Sequence, residues 1–271
     1  MLSTLYEFKI LTIDQSNKSS IIHSTLEKFG YHSFYETTLD RSYDILRQEP
    51  IDLVILNTNN SPTEEETIIK DIQNLTDCGI VFLTSEYSID NVEQFSKYNF
   101  LAYHVKLGNL LNILKEIDLL IKKLILNSLE TIMVVKPKDQ IRDFIIELLR
   151  LHRYKIVVVH NGASAWKKLD TIENLSLLLL DINLDDMDDS LDILIKARKK
   201  FSKNLPVISV SNIYNPISLQ QNISDGLSDF IKTPIDKLEF YLKICLWIDN
   251  IKQKREIEKQ NKEIENAMES F

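Results

Sequence analysis

The stretch Leu177–Leu194, LLLLDINLDDMDDSLDIL, decides the architecture. Four leucines run straight into Asp181, and an acidic loop and a helix start follow. An apolar run this short, bounded by turn residues, fits a strand buried in a parallel sheet with helices on both faces. Working outward, the same grammar recurs. Thr131–Val135, Tyr154–Val159, Pro206–Val210 and Leu227–Ile231 read as further strands of the second half. Phe8–Ile13, His32–Tyr35, Asp52–Leu56, Ile80–Leu83 and Leu101–Val105 form a first set about 120–125 positions earlier. Helical spacing fills the gaps, as in Ile21, Ile22, Thr25, Leu26 and Phe29. The expectation is α/β: two doubly wound domains, residues 1–128 and 129–249, and a helical segment over 250–271.

Composition narrows the function. The 271 residues carry 32 Lys+Arg against 40 Asp+Glu, a net charge of −8. Residues 1–128 hold 11 basic and 18 acidic side chains, and the remainder 21 and 22. Neither half supplies the basic stripe that nucleic acid requires. Five glycines, with no G-x-G-x-x-G and no P-loop lysine motif, exclude most Gly-rich phosphate cradles. Gly30, Gly79, Gly108, Gly162 and Gly226 fall at element boundaries, where left-handed backbone or a sharp turn is expected. Cys78 and Cys245 read as two buried free thiols. No apolar run approaches a membrane span, and MLSTLYEFKI is no signal peptide, so a cytoplasmic chain is expected.

Two helical segments carry more than one apolar face. Leu110–Leu129 is apolar almost all round, which predicts a second surface besides its own sheet. After Pro234, Leu238, Tyr241, Leu242, Cys245 and Ile248 are expected to face the core. Further on, Ile257, Ile264 and Phe271 recur every seven residues, with Ala267 or Met268 between the last two. The spacing reads either as a solvated tail or as a dimeric signalling helix leading to another domain.

In open parallel sheets, chemistry sits at the carboxyl ends of the strands. In the first half these are Asp14-Gln15, Asn57, Thr84-Ser85 and Lys106. In the second they are Lys136-Pro137, Asp181, Ser211-Asn212 and Lys232-Thr233-Pro234. With LLLLDINLDDMDDSLDIL, PVISVSN and GLSDFIKTP, this pattern resembles the response-regulator receiver family, over about residues 7–125 and 130–249. The resemblance implies a flavodoxin-like (βα)5 fold with strand order 2-1-3-4-5, a signalling role in a two-component system and no enzymatic activity. It also implies the site chemistry. A carboxylate after the third strand accepts a phosphoryl group, and an acidic pair after the first binds Mg²⁺. A lysine after the fifth strand offsets the developing charge, a Thr or Ser after the fourth contacts the phosphoryl group, and an aromatic on the fifth reorients.

Both halves depart from that pattern. The first keeps Asp14, Thr84, Lys106 and the aromatic Tyr103, but places Asn57 at the acceptor position and Gln15 in the acidic pair, and Leu107 follows the lysine. The second keeps Asp181 as phosphoacceptor candidate, Ser211 and the aromatic Phe230. It has Lys136-Pro137 for the acidic pair and Thr233 at the lysine position, with Lys232 one residue early on the opposite strand face. Asp181 and Asn183 are weak metal candidates, and Asp185, Asp186, Asp188 and Asp189 read as a solvated acidic loop. No cofactor is required, and Mg²⁺ is the one the family would supply. Lys136 can stand close to where Mg²⁺ would lie. At ~4 Å and an effective dielectric of ~20 its attraction to Asp181 is on the order of 4 kcal/mol before desolvation. The alternative is a disused site with the lysine in water.

The leading reading is therefore a pair of degenerate receivers acting as an interaction, dimerisation and relay module. Its partners would be a second copy, another protein or a histidine kinase. They would dock on the faces built from the fourth helix, fifth strand and fifth helix, here including Asn215–Gln221, and on the C-terminal helix. A second reading is a regulator phosphorylated on Asp181 and controlling an output beyond Phe271, such as a diguanylate cyclase or kinase. A third, a flavodoxin-like small-molecule enzyme, lacks a phosphate loop and a nucleophile–base pair: His23, His32, His104, His152 and His160 are scattered.

Overall fold

The computed structural model describes residues 7–15, 20–57, 62–84, 98, 100–106, 109–181, 184, 190–211 and 226–269. The chain divides into two compact units, Met1–Asn127 with Leu151–Arg153, and Ser128–Arg150 with Tyr154–Phe271. In the first, β1 (Lys9–Asp14), α1 (Ser20–Lys28), β2 (His32–Glu36), α2 (Leu39–Gln48), β3 (Leu53–Asn57), α3 (Pro62–Leu75), β4 (Gly79–Thr84), β5 (Ala102–Val105) and α4 (Leu110–Asn127) follow in order. The second contains β6 (Thr131–Val135), α5 (Gln140–Leu151), β7 (Lys155–Val159), α6 (Gly162–Thr171), β8 (Leu177–Leu180), α7 (Ser190–Lys200), β9 (Val207–Ser211), β10 (Asp229–Lys232) and α8 (Lys237–Glu269).

Each unit holds one five-stranded parallel sheet, β2-β1-β3-β4-β5 and β7-β6-β8-β9-β10, which is the order 2-1-3-4-5 twice. The leucine run explains the position of β8 at the sheet centre. Leu178 and Leu180 pack with Met133, Val135 and Val207 under α6 and α7. Leu177 and Leu179 turn the other way, against Ile132, Val134 and Ile208 under α5 and α8. Burial of each leucine contributes roughly 2 kcal/mol. The first sheet is divided in the same way, with Ile10, Leu53, Ile55 and Val81 facing α1 and α4. Leu11, Val54, Leu56 and Phe82 face α2 and α3.

Several expectations are corrected. Asp14, Asn57 and Thr84 are the last residues of their strands rather than the first beyond them, and Asp14 is the register partner of Asn57. Gly30 and Gly226 have left-handed φ of 94° and 110°, as expected. Gly79 and Gly162 open a strand and a helix and need no left-handed turn. At Gly79 the constraint is space, because a Cβ would collide with Leu101 Cδ1. Gly108 lies outside the described residues. Cys245 is buried, but Cys78 is only half-buried, and burial pushes its thiol up to about 12.

The core stripe of α8 is also rephased. Phe240, Ile244, Ile248 and Ile251 are buried, together with Cys245. Leu238 and Leu242, expected inside, are 64% and 56% exposed. The register is set by the sheet contact of Phe240, Ile244 and Ile248, which leaves Leu238, Leu242 and Leu246 on another face. At the 3.6-residue period, Ile257, Ile264 and Met268 continue that exposed face. In α4, Leu114, Ile117, Ile121 and Leu124 are buried while Leu111, Leu119 and Leu126 are exposed. No helix among the described residues is long and apolar enough to cross a membrane.

Candidate functional site

Parallel register brings the carboxyl ends of β1, β3, β4 and β5 to one edge of the first sheet. Asp14 and Asn57 lie side by side there, both fully buried. Lys106, the residue after β5, donates from Nζ to Asn57 Oδ1 at 2.5 Å. Its backbone N–H donates to Thr84 O at 2.7 Å, which ties the lysine to the end of β4. Tyr35 Oη donates to Asp14 Oδ2 at 3.5 Å, and Gln15 is half-buried beside it. The Tyr103 ring packs 6.0 Å from that of Phe82. The sheet therefore brings Asp14, Asn57, Thr84 and Lys106 together. However, the group facing the lysine is a carboxamide, whose oxygen accepts a hydrogen bond but carries no charge to attack phosphorus.

The second edge is built differently. Asp181 follows β8 directly, and its backbone N–H donates to Val135 O at 2.9 Å. This bond holds the carboxylate beside the end of β6, where Lys136 stands. Lys136 Nζ donates to Asp181 Oδ2 at 2.7 Å and lies 2.9 Å from Asp139 Oδ2. Lys136 and Asp181 are 8% and 7% exposed. Burial pulls the lysine pKa down, but the hydrogen bonds to Asp181 and Asp139 outweigh it, and the net shift is upward. Burial pushes the Asp139 carboxyl up, yet the Arg142 N–H and the Lys136 ammonium bring it below its ordinary value. Asp139 Oδ1 also accepts from Arg142 N at 2.7 Å, capping α5. Ser190 Oγ, at the start of α7, donates to Asp181 O at 3.2 Å.

Lys232 is exposed and pairs in register with Ser211, as Val105 pairs with Thr84. Thr233 therefore occupies the place that Lys106 takes in the first sheet. Only the backbone of Ser211 is described. Asn183, Ser85, Leu107, Asn212, the acidic residues 185–189 and Asn215–Gln221 lie outside the described residues. Phe230 is half-buried under Lys243 Nζ, which sits 4.7 Å from its ring centroid. Lys243 also donates to Asp229 Oδ1 at 2.9 Å and to Phe230 O at 2.6 Å, and Trp247 Nε1 donates to Asp229 Oδ2 at 3.1 Å.

Sequence reasoning missed two of these features, Asp139 and the contacts of Lys243 and Trp247 with Asp229. Asp139 could have been found, since it stands three residues from Lys136 at helix-cap spacing. The clamp of α8 on β10 had no local signal, because its members are 14 and 18 residues apart and meet only when the helix packs on the sheet.

Mg²⁺ takes oxygen ligands. Between Asp139 and Asp181 stands an ammonium, a donor, so the described residues of the second edge do not fit the metal. The first edge offers one carboxylate beside neutral carboxamides. No group of three or more His, Cys, Asp or Glu suited to a metal occurs among the described residues.

Comparisons agree with the geometry. Residues 132–244 match the model of the response regulator receiver domain. A segment of 118 residues, 43% of the chain, is 28% identical to the CAI-1 autoinducer sensor kinase/phosphatase CqsS of Vibrio cholerae and covers 17% of that protein. Another of 98 residues, 36% of the chain, is 30% identical to the transcriptional regulatory protein CrdR of Helicobacter pylori and covers 45% of it. The chain thus spans less than half the length of these relatives. A crystal structure of a putative two-component system response regulator/GGDEF domain protein superposes with a TM-score of 0.65 at 18% identity, over 90% of this chain and 99% of that one. Receiver domains typically serve as signalling modules that interact with histidine kinases and other proteins. Residues 132–244 are a response regulator receiver domain of the two-component type, and the chain as a whole carries two flavodoxin-like receiver folds followed by a C-terminal helix.

Proposed function

We propose that this chain relays a signal by protein contact, without aspartyl-phosphate chemistry at either strand edge. In this reading residues 1–128 and 129–249 are two degenerate receivers, and 250–271 is a linker helix in a cytoplasmic protein. The observation that carries it is the Lys136–Asp181 pair, in which a built-in ammonium holds the one retained acceptor carboxylate. Asn57 supports it from the other domain: its carboxamide keeps the lysine contact and lacks the nucleophile. The vestigial positions Asp14, Gln15, Thr84, Lys106, Ser211 and Thr233 then hold structure rather than a reaction.

The partner we infer is a second copy of this chain. Leu238, Leu242, Leu246, Ile257, Ile264 and Met268 form one exposed stripe along α8. With Ile257 and Ile264 at equivalent heptad positions, Asp249 and Lys254 flank the seam. A parallel pair sets Asp249 against Lys254 of the second copy, while an antiparallel one sets Asp249, Glu256 and Glu263 against one another. Light scattering should give a dimer that Ile257→Glu with Ile264→Glu converts to monomer.

The second reading, a regulator phosphorylated on Asp181, draws on the position of that carboxylate directly after β8. Incubation with Mg²⁺ and acetyl phosphate followed by intact mass decides between the two. We expect no added phosphoryl group. A gain of one, lost in Asp181→Asn, would overturn the proposal.

A further inference from the structure

We propose that Lys136 is a tethered substitute for the divalent cation of the receiver family, so that the second domain excludes that metal. The inference rests on the receiver reading of residues 132–244. It does not depend on phosphate independence: phosphorylation of Asp181 would remove the proposed function and leave this inference intact.

The geometry carries it in three steps. First, the ammonium lies between two carboxylates, 2.7 Å from Asp181 and 2.9 Å from Asp139, as a cation shared by both would. Second, it is fixed there. Lys136 follows β6, its backbone N–H donates to Val159 O at 3.1 Å, and only a tenth of its side chain is exposed. Third, a metal at this point would need its ligands' oxygens turned inward while a like charge stands within contact distance. Entry of the metal therefore requires Lys136 to leave both carboxylates.

The consequence is regulatory. In a metal-dependent site the acceptor carboxylate is neutralised only when the cation is bound. Here neutralisation is covalently built in, and it links the end of β8 to the first turn of α5 through Asp139. The second domain holds one electrostatic arrangement whatever the supply of divalent cations.

Mn²⁺ titration of the full chain, followed by the paramagnetic signal of the free ion, tests this. Wild type and Asp181→Asn should bind the same amount at millimolar Mn²⁺. Lys136→Asp should gain one site per chain, and Lys136→Asp with Asp181→Asn should lose it. Lys136→Ala, which leaves Asp139 and Asp181 without an added charge, should gain a weaker site and be stabilised by Mg²⁺ in thermal melts. Loss of bound Mn²⁺ from wild type on Asp181→Asn would overturn the proposal. So would a folded Lys136→Asp or Lys136→Ala protein that gains no Asp181-dependent site.

Discussion

Replacing Lys136 with Met keeps most of the side-chain volume and removes the ammonium. At 2.7 Å and an effective dielectric of ~20, the gross attraction between Lys136 and Asp181 is about 6 kcal/mol, most of it offset by desolvation of two buried ions. The substitution then takes the ammonium from a buried carboxylate, which costs about 3–5 kcal/mol. The exposure of Asp139, 40% of its side chain, places the expected loss near the lower end, about 3 kcal/mol. The assay is urea denaturation followed by tryptophan fluorescence. Both tryptophans, Trp166 and Trp247, lie in the second unit, so the signal ignores the first. Asp181→Asn in the Lys136→Met background should recover about 2 kcal/mol, because the buried charge is gone. The pH dependence has a definite sign. In wild type, the raised Lys136 pKa gives stability that is present below its ordinary 10.5 and lost as pH rises through the folded value. The lowered Asp139 pKa gives stability that is present above 3.8 and lost as pH falls through the folded value. These contributions leave wild type flat between those limits. Lys136→Met removes the first of these contributions, so its stability should no longer fall as pH rises past the ordinary lysine range. A loss under about 1 kcal/mol, or a variant that still loses stability at high pH as wild type does, would refute the argument.

Asn57→Asp should place a second carboxylate beside buried Asp14, with Lys106 as counter-charge. We expect a loss of about 1–3 kcal/mol at neutral pH, recovered in part by Mg²⁺, by far-UV circular dichroism melts. Gly30→Ala and Gly79→Ala should both destabilise the first unit by about 1–2 kcal/mol, for different reasons. Asn should therefore rescue position 30, where only the left-handed φ matters, and worsen position 79, where Leu101 leaves no room. Lys243→Met should remove the cation over Phe230 and one of the donors to Asp229, at a cost of about 1–2 kcal/mol. In a Trp166→Phe background, a shift of Trp247 emission would report the loosened clamp, and an unchanged spectrum would count against it.

The architecture was legible because its signals are local. A run such as Leu177–Leu180 can be satisfied only inside a covered sheet, and the repeat of that run with its helices implied two sheets. Strand ends were misjudged by a residue because Asp14 and Asn57 are polar yet still pair in the ladder. The phase of α8 was misjudged because Leu238, Leu242 and Phe240 are equally apolar, and only the sheet surface selects Phe240.

The placement of Asn57 and Asp181 follows from residue order alone, since each is tied to the end of a recognisable strand. The electrostatic state of those positions does not. It depends on side chains that converge from separate strands: Lys106 crosses from β5 to Asn57, and Lys136 crosses from β6 to Asp181, 45 residues away. Strand order and register set those distances, and a shift of one residue would point each lysine to the opposite face of its sheet. Residue types therefore named the charges at each edge and left Lys136 either beside Asp181 or in water, and packing decided for the pair.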